Sequence, residues 1–207
     1  MPQPQPEPQG QPEERQIHHL DARSLRGLAH PLRMQLLDAL RFDGPATASQ
    51  LAERLGESSG ATSYHLRQLA TYGFVVDAPE HGKGRERWWK AAHEGLMFDD
   101  ALFTDSTPAV RGAIDMVMHE IATKHAQELS TWLGNRHVWS EEWVQGTDMS
   151  DMTLRLTPEI AHELIEKMHA LVESYRDLPA MADAPDAERV RVHTHTFPIT
   201  TDGEATR

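Results

Sequence analysis

The chain has 207 residues, of which 39% are hydrophobic and 25% charged, with a formal net charge of −12 and no cysteine. That composition suits a globular protein of one or two domains. The missing cysteine excludes disulfides, thiolate nucleophiles and cysteine-ligated metals, and no apolar run approaches the ~20 residues of a membrane span. The opening Met1-Pro2-Gln3-Pro4-Gln5-Pro6 has neither the basic nor the apolar region of a secretory signal, so a cytoplasmic protein with no membrane partner is expected. The charge is uneven: Asp21 to Ala92 hold ten Lys/Arg and eight Asp/Glu, net +2, whereas the other 135 residues hold ten and twenty-four, net −14. A polyanionic partner is disfavoured over most of the surface but not over this segment.

Residues 1–16 are mostly Pro, Gln and Glu with almost nothing to bury, and read as a disordered tail. Leu25, Leu28 and Ala29 have helical spacing and lead to Pro31, which suits the first turn of a second helix. That helix sets Leu32, Leu36, Leu37 and Leu40 on one face and stops near Asp43-Gly44-Pro45. Ala46 to Ala48 read as a short extended link. A third helix runs from about Ser49 to Leu55, ended by Gly56. A fourth runs from about Ser59 to Tyr72, with Thr62, Leu66 and Leu69 inward and Gly73 as its stop. Residues 74–78 and 85–90 read as two strands of a hairpin, joined by the Gly- and Lys-containing stretch 79–84.

Residues 93–106 read as irregular. Thr107-Pro108 opens a long helix, 107–133, whose stripe is Val110, Ile114, Val117, Ile121, Leu129 and Trp132. Its ~26 residues would span roughly 40 Å, more than one small core needs, so those six residues are the expected seam with a second copy. Residues 152–156 alternate like a strand, 157–175 read as a capped helix with Ile160, Leu164, Met168, Leu171 and Tyr175 on one face, and 190–197 as a last strand. The expected organisation is a tail (1–16), a domain of four helices and a hairpin (17–92) and a dimerisation or effector region (93–207) that carries the long helix and a strand–helix–strand segment over 151–198. The fold class is mainly α with a small β component, α+β.

Function concentrates in the third helix, the turn at Gly56-Glu57-Ser58 and the fourth helix. Two short helices joined by a brief Gly-containing turn form a helix-turn-helix pattern, and the second helix of such a pair enters the major groove. With Thr62, Leu66 and Leu69 inward, the opposite face carries Ser59, Gly60, Ser63, Tyr64 and Arg67, with Gln68 beside them. Small residues allow close approach to bases, and Arg67 suits guanine or phosphate. Lys83, Arg85 and Arg87 would set a basic wing on the phosphate backbone.

Residues 28–33 (Leu-Ala-His-Pro-Leu-Arg), 50–56 (Gln-Leu-Ala-Glu-Arg-Leu-Gly) and 62–69 (Thr-Ser-Tyr-His-Leu-Arg-Gln-Leu), followed by Gly73-Phe74-Val75, resemble the ArsR-type winged-helix family of bacterial repressors in order and spacing across roughly 20–92. The resemblance implies a homodimer on a palindromic operator in double-stranded DNA, read through the positions of Ser59, Gly60, Ser63, Tyr64 and Arg67. The region beyond the wing is longer than compact family members have.

The family's best-known members sense metals. The thiolate site is missing with the cysteines. The other family site, D-x-H followed ten residues later by H-x-x-E or H-x-x-H, is half present: His125 and Glu128 fit its second half, but Gly112 and Ile114 stand where the first-half ligands belong. No metal or other cofactor is therefore expected, and regulation without a ligand or by an unidentified small-molecule effector is the more natural reading. No enzyme is expected either. Gly56-Glu57-Ser58-Ser59-Gly60 satisfies G-x-S-x-G but follows a helix instead of a strand. His93, His119 and His162 each begin H-E-x-x-H, but its second histidine is replaced by Met97, Thr123 and Glu166. The competing readings are a winged helix that binds a protein, and a small-molecule or metal sensor centred on the C-terminal region.

Overall fold

A computed structural model describes residues 16–82, 86–176, 178 and 184–199. It divides into two units, one through Glu128 and one from Leu129 onward, the division falling inside one long helix. No helix among the described residues is long and apolar enough to cross a membrane.

The first unit opens with β1 (Ile17–Leu20), followed by α1 (Ala22–Leu28) and α2 (Pro31–Phe42). Asp21 caps α1 by accepting from the backbone N–H groups of Arg23 and Ser24, and the Ser24 hydroxyl accepts from the Asp21 backbone in return. Pro31 occupies the first turn of α2 as expected, where its missing N–H removes no intrahelical bond. Leu32, Leu36, Leu37 and Leu40 are all buried.

Three strands, β2 (Ala46–Thr47), β3 (Val75–Asp77) and β4 (Trp88–Ala91), form an antiparallel sheet with β4 in the middle. The register sets Val75 opposite Ala91, Asp77 opposite Trp89, and Ala46 also opposite Trp89. The hairpin is as expected, but β4 starts at Trp88, and the link at Ala46 is a true edge strand. Between β2 and β3 lie α3 (Ala48–Leu55) and α4 (Ser59–Thr71).

The span 93–106, expected to be irregular, holds β5 (Gly95–Phe98) and α5 (Asp100–Thr104). β5 pairs in parallel with β1, Ile17 opposite Gly95 and Leu20 opposite Phe98. The expected tail lies outside the described residues except Gln16, whose carbonyl accepts from the Glu94 N–H at 3.0 Å.

α6 (Pro108–Asn135) is the long helix, two residues longer at its end than expected. Val110, Ala113, Ile114 and Val117 belong to the same buried cluster as Leu25, Leu36, Leu51, Leu66 and Phe74. The packed unit therefore runs past residue 92, and Lys124 adds an ion pair to Asp38 on α2 at 2.7 Å.

The second unit contains α7 (Glu141–Gln145) and α8 (Pro158–Ser174). The Thr157 hydroxyl caps α8 by accepting from the Ile160 N–H. The expected strands do not form: 152–156 and 190–197 belong to no sheet among the described residues. Alternation makes a segment competent for a strand, but a strand exists only with a partner to complete its hydrogen bonds. The apolar face assigned to α8 is not buried either, with Ile160, Leu171 and Tyr175 exposed.

Candidate nucleic-acid interface

The site is built around α3 and α4. Thr47 caps α3 reciprocally: its hydroxyl accepts from the Gln50 N–H, and the Gln50 side-chain oxygen accepts from the Thr47 N–H at 2.9 Å. Gly56 ends α3 at φ 69°, a left-handed backbone that a residue with Cβ adopts only under strain, and this turns the chain sharply into α4. Ser58 then caps α4 by accepting from the Ala61 N–H. α4 is fixed from below by Leu66 and Leu69, both fully buried, and by Thr62.

The other side of α4 is open. Ser59, Gly60, Tyr64 and Arg67 are exposed, and Ser63 and Gln68 are half-buried beside them, so the face expected from the sequence exists as one surface. Tyr64 keeps 55% of its surface in solvent although it is a large aromatic residue. A Cβ placed on Gly60 would meet no atom of the described residues within 4 Å, so none of them requires glycine there. The Arg67 Nε donates to the Ser63 carbonyl at 3.0 Å, which lays the guanidinium along the helix.

Between α4 and the sheet runs an open groove of about 310 Å³, walled by Thr47, the cap of α3, and Ser49 in its first turn, Ser63 and Arg67 of α4, and Glu86 and Arg87 before β4. A helix N-terminus on one wall and a guanidinium on the other favour an anion, while Glu86 opposes it. The α3 wall was not singled out from the sequence, although Thr47-x-x-Gln50 before an apolar run is a capping-box signal that could have found it.

The wing differs from expectation. Lys83 and Arg85 lie outside the described residues. Arg87 is not a free phosphate contact: its guanidinium forms a two-point pair with Asp77, the Nη2–Oδ2 arm measuring 2.9 Å, and lies 4.0 Å from the centre of the Trp89 ring. The hydrogen bond from Arg87 holds the Asp77 carboxyl below its usual range. Lys90 is likewise paired, with Glu80 at 2.7 Å. Antiparallel register explains the first pair, because Asp77 lies opposite Trp89.

The expected dimer seam is corrected in part. Val110, Ile114 and Val117 are buried in the core of their own chain and cannot also meet a second copy. Ile121 is half-buried against that core, Trp132 is half-buried, and Leu129 is exposed. Of the two weak metal candidates, Glu128 lies 3.8 Å from the Lys124 ammonium, and His125 is half-buried one residue further along the helix from Lys124. Among the described residues no three His, Asp or Glu side chains gather as a ligand set.

Sequence reading also missed a histidine pair at the root of α4. His30 caps α2, its Nδ1 accepting from the Leu32 N–H at 3.2 Å, and its ring lies 4.3 Å from that of His65. His65 Nδ1 is buried without a hydrogen-bond partner among the described residues. Burial, then His30 and Arg33, push the His65 imidazole below its ordinary value of 6.5, against a small opposing effect of Glu57. Burial and His93 do the same to His18. The unfolded chain therefore binds these protons at a higher pH than the folded chain does. The stability they contribute is complete above about pH 6.5 and is lost as pH falls toward the lowered folded values. The melting temperature is expected to drop between pH 7 and pH 5, with a shallower slope in His65→Gln. A flat profile in the wild-type chain would contradict this reading.

These features define a class: a winged helix-turn-helix protein of the DNA-binding, transcription-regulating kind, in which the outer face of α4 is exposed. Residues 28–77 match a family described as a helix-turn-helix domain. The chain is 33% identical over 82 residues to the HTH-type transcriptional regulator NmtR of Mycobacterium tuberculosis, covering 40% of this chain and 67% of that protein. Among solved structures, it is similar to the homodimeric winged helix-turn-helix domain of Mb0332 from Mycobacterium bovis, described as a possible ArsR-family transcriptional regulator. That likeness has 21% identity, covers 52% of this chain and 82% of that one, and has a TM-score of 0.33. Reduced HlyU from Vibrio cholerae is also similar, at 21% identity and a TM-score of 0.30, over 46% of this chain and 81% of that one. The chain belongs to the ArsR-type family of winged-helix transcriptional regulators.

Proposed function

We propose that this regulator is a cytoplasmic homodimeric repressor that binds a palindromic operator. α4 lies in the major groove, with Ser59, Gly60, Ser63, Tyr64, Arg67 and Gln68 toward the bases. Lys83 and Arg85 reach the flanking phosphates, while Arg87 braces the wing through Asp77. The observation that carries the reading is the outer face of α4. Gly60 stands in the first turn of α4, where no described residue gives a packing reason for glycine, and Tyr64 and Arg67 stand exposed one and two turns further on. A helix keeps such a face when another molecule approaches closely. On this reading Ile121, Leu129 and Trp132 are the part of the α6 stripe left for the second copy.

Selection of bound duplexes from a random pool tests this directly. The winners are expected to carry two inverted half-sites whose centres are roughly 34 Å apart, one turn of DNA. Arg67→Ala should weaken the selected site by ~1–3 kcal/mol if the side chain reads a guanine, and should lower the salt slope by about one if it contacts only phosphate. Tyr64→Ala combined with Arg67→Ala leaving operator affinity unchanged would remove α4 from the interface. Winners without twofold symmetry would overturn the palindromic dimer.

A further inference from the structure

Beneath the exposed face of α4, where it packs on α2, basic groups gather with little to offset them. The His65 ring touches two others, His30 at 4.3 Å between centres and Tyr64 edge-on at 5.1 Å. His65 is half-buried, and its Nδ1 is closed off from water. A proton on His30 Nδ1 would undo the cap of α2, because that atom accepts from the Leu32 N–H. Arg33, in the first turn of α2, is held beside the pair by bonds from its Nη2 to the carbonyls of Arg26 and Ala29, each 3.2 Å, and stays charged at every ordinary pH. The N-terminal end of α2 adds partial positive charge. From the turn before α4, Glu57 opposes these groups, but it is exposed to solvent. From α1, α3 and β3, which also pack on α4, no charged side chain among the described residues acts on His65.

We propose that His65 is a proton switch on operator binding. As the neutral ring it seats α4 against α2 and holds Tyr64 in the pose that meets the bases. As the imidazolium it is repelled by Arg33 and by the end of α2, and its Nδ1 proton finds no acceptor among the described residues, so α4 gives up that seat. The sign is opposite to that of general electrostatics. Protons taken up by exposed histidines make a chain more cationic and tighten its grip on any duplex, whereas a proton on His65 loosens the specific complex. The inference rests on the reading of α4 as the base-contacting helix, and it makes His65 a positioning residue that itself touches no base.

Fluorescence anisotropy of the full chain, with the selected operator and with a scrambled duplex of the same length, tests this between about pH 7.5 and pH 5.0. The advantage of the operator over the scrambled duplex is expected to shrink about threefold or more toward the acid end in the wild-type chain, and to change by less than about twofold in His65→Gln. His30→Asn keeps a capping oxygen for α2 but removes the imidazole beside His65, so in that variant the loss should begin at a higher pH. His18→Gln alters a histidine far from α4 in sequence and should keep the wild-type profile. An undiminished advantage at the acid end would overturn the switch and leave the DNA-binding reading intact. Equal shrinkage in His65→Gln would overturn it too, as would shrinkage that follows loss of helical circular dichroism in the same samples, because the fold would then be titrating. A His30→Asn profile that coincides with the wild type would overturn it even where His65→Gln does not fold. A chain with no preference among duplexes at either pH would defeat the DNA-binding reading, and the switch with it.

Discussion

Leu66→Ala is expected to destabilise the first unit by about 2–5 kcal/mol, the range for deleting a large aliphatic side chain from a packed core. Leu66 has no solvent exposure and sits on the inner side of α4, in one cluster with Leu51, Leu69 and Phe74. Its neighbour in sequence, Arg67, points the other way. The two substitutions should therefore separate cleanly. Leu66→Ala moves the denaturation midpoint and leaves the base preference of the folded fraction unchanged, whereas Arg67→Ala changes binding and leaves the midpoint within about 0.5 kcal/mol. Chemical denaturation of both variants decides the matter. A loss below about 1 kcal/mol for Leu66→Ala would mean that α4 is not anchored as described.

The second large effect is expected at Gly27, in α1. Helix propensity alone makes Gly27→Ala stabilising by about 1 kcal/mol. The packing says the opposite. A Cβ at residue 27 would lie 2.2 Å from Cγ of Tyr72 and 2.5 Å from its Cδ2, so the ring would have to leave its place at the end of α4. Overpacking of this kind costs about 1–3 kcal/mol, and the net change should be a loss. Tyr72→Ala in the same chain should relieve the clash, so the double variant is expected to be more stable than the sum of the two single losses predicts. A gain in stability for Gly27→Ala would show that Tyr72 has another place to go.

What was legible in the sequence follows from how local the cause is. α2, α3 and α4 could be read because their signals lie within a few residues: Pro31 in a first turn, Gly56 and Gly73 as left-handed stops, and leucines at helical spacing. β1 and β5 could not. Their pairing joins residues almost eighty positions apart, and Ile17-His18-His19-Leu20 alternates too weakly to announce a strand. The stripe on α6 was seen correctly but given the wrong neighbour over its first turns. Periodicity states that Val110, Ile114 and Val117 are covered, not by what. The pairing of Arg87 with Asp77 was hidden for a similar reason, because it depends on strand register and not on the charge of either residue. At 152–156 and 190–197 the opposite happened: the pattern was strand-like, and no sheet forms there among the described residues.

The parallel pairing of β1 with β5 has a practical side. A polypeptide trimmed to begin at Asp21 would keep every helix, the whole α4 face and the wing, and would still look like a complete domain by helix content. It would also leave Gly95-Leu96-Met97-Phe98 as an uncharged ribbon with no paired strand among the described residues, the kind of bare edge that recruits other chains. For this molecule, insolubility after a short deletion at the front would report an orphaned strand eighty residues downstream, and would say nothing against the fold of the helices.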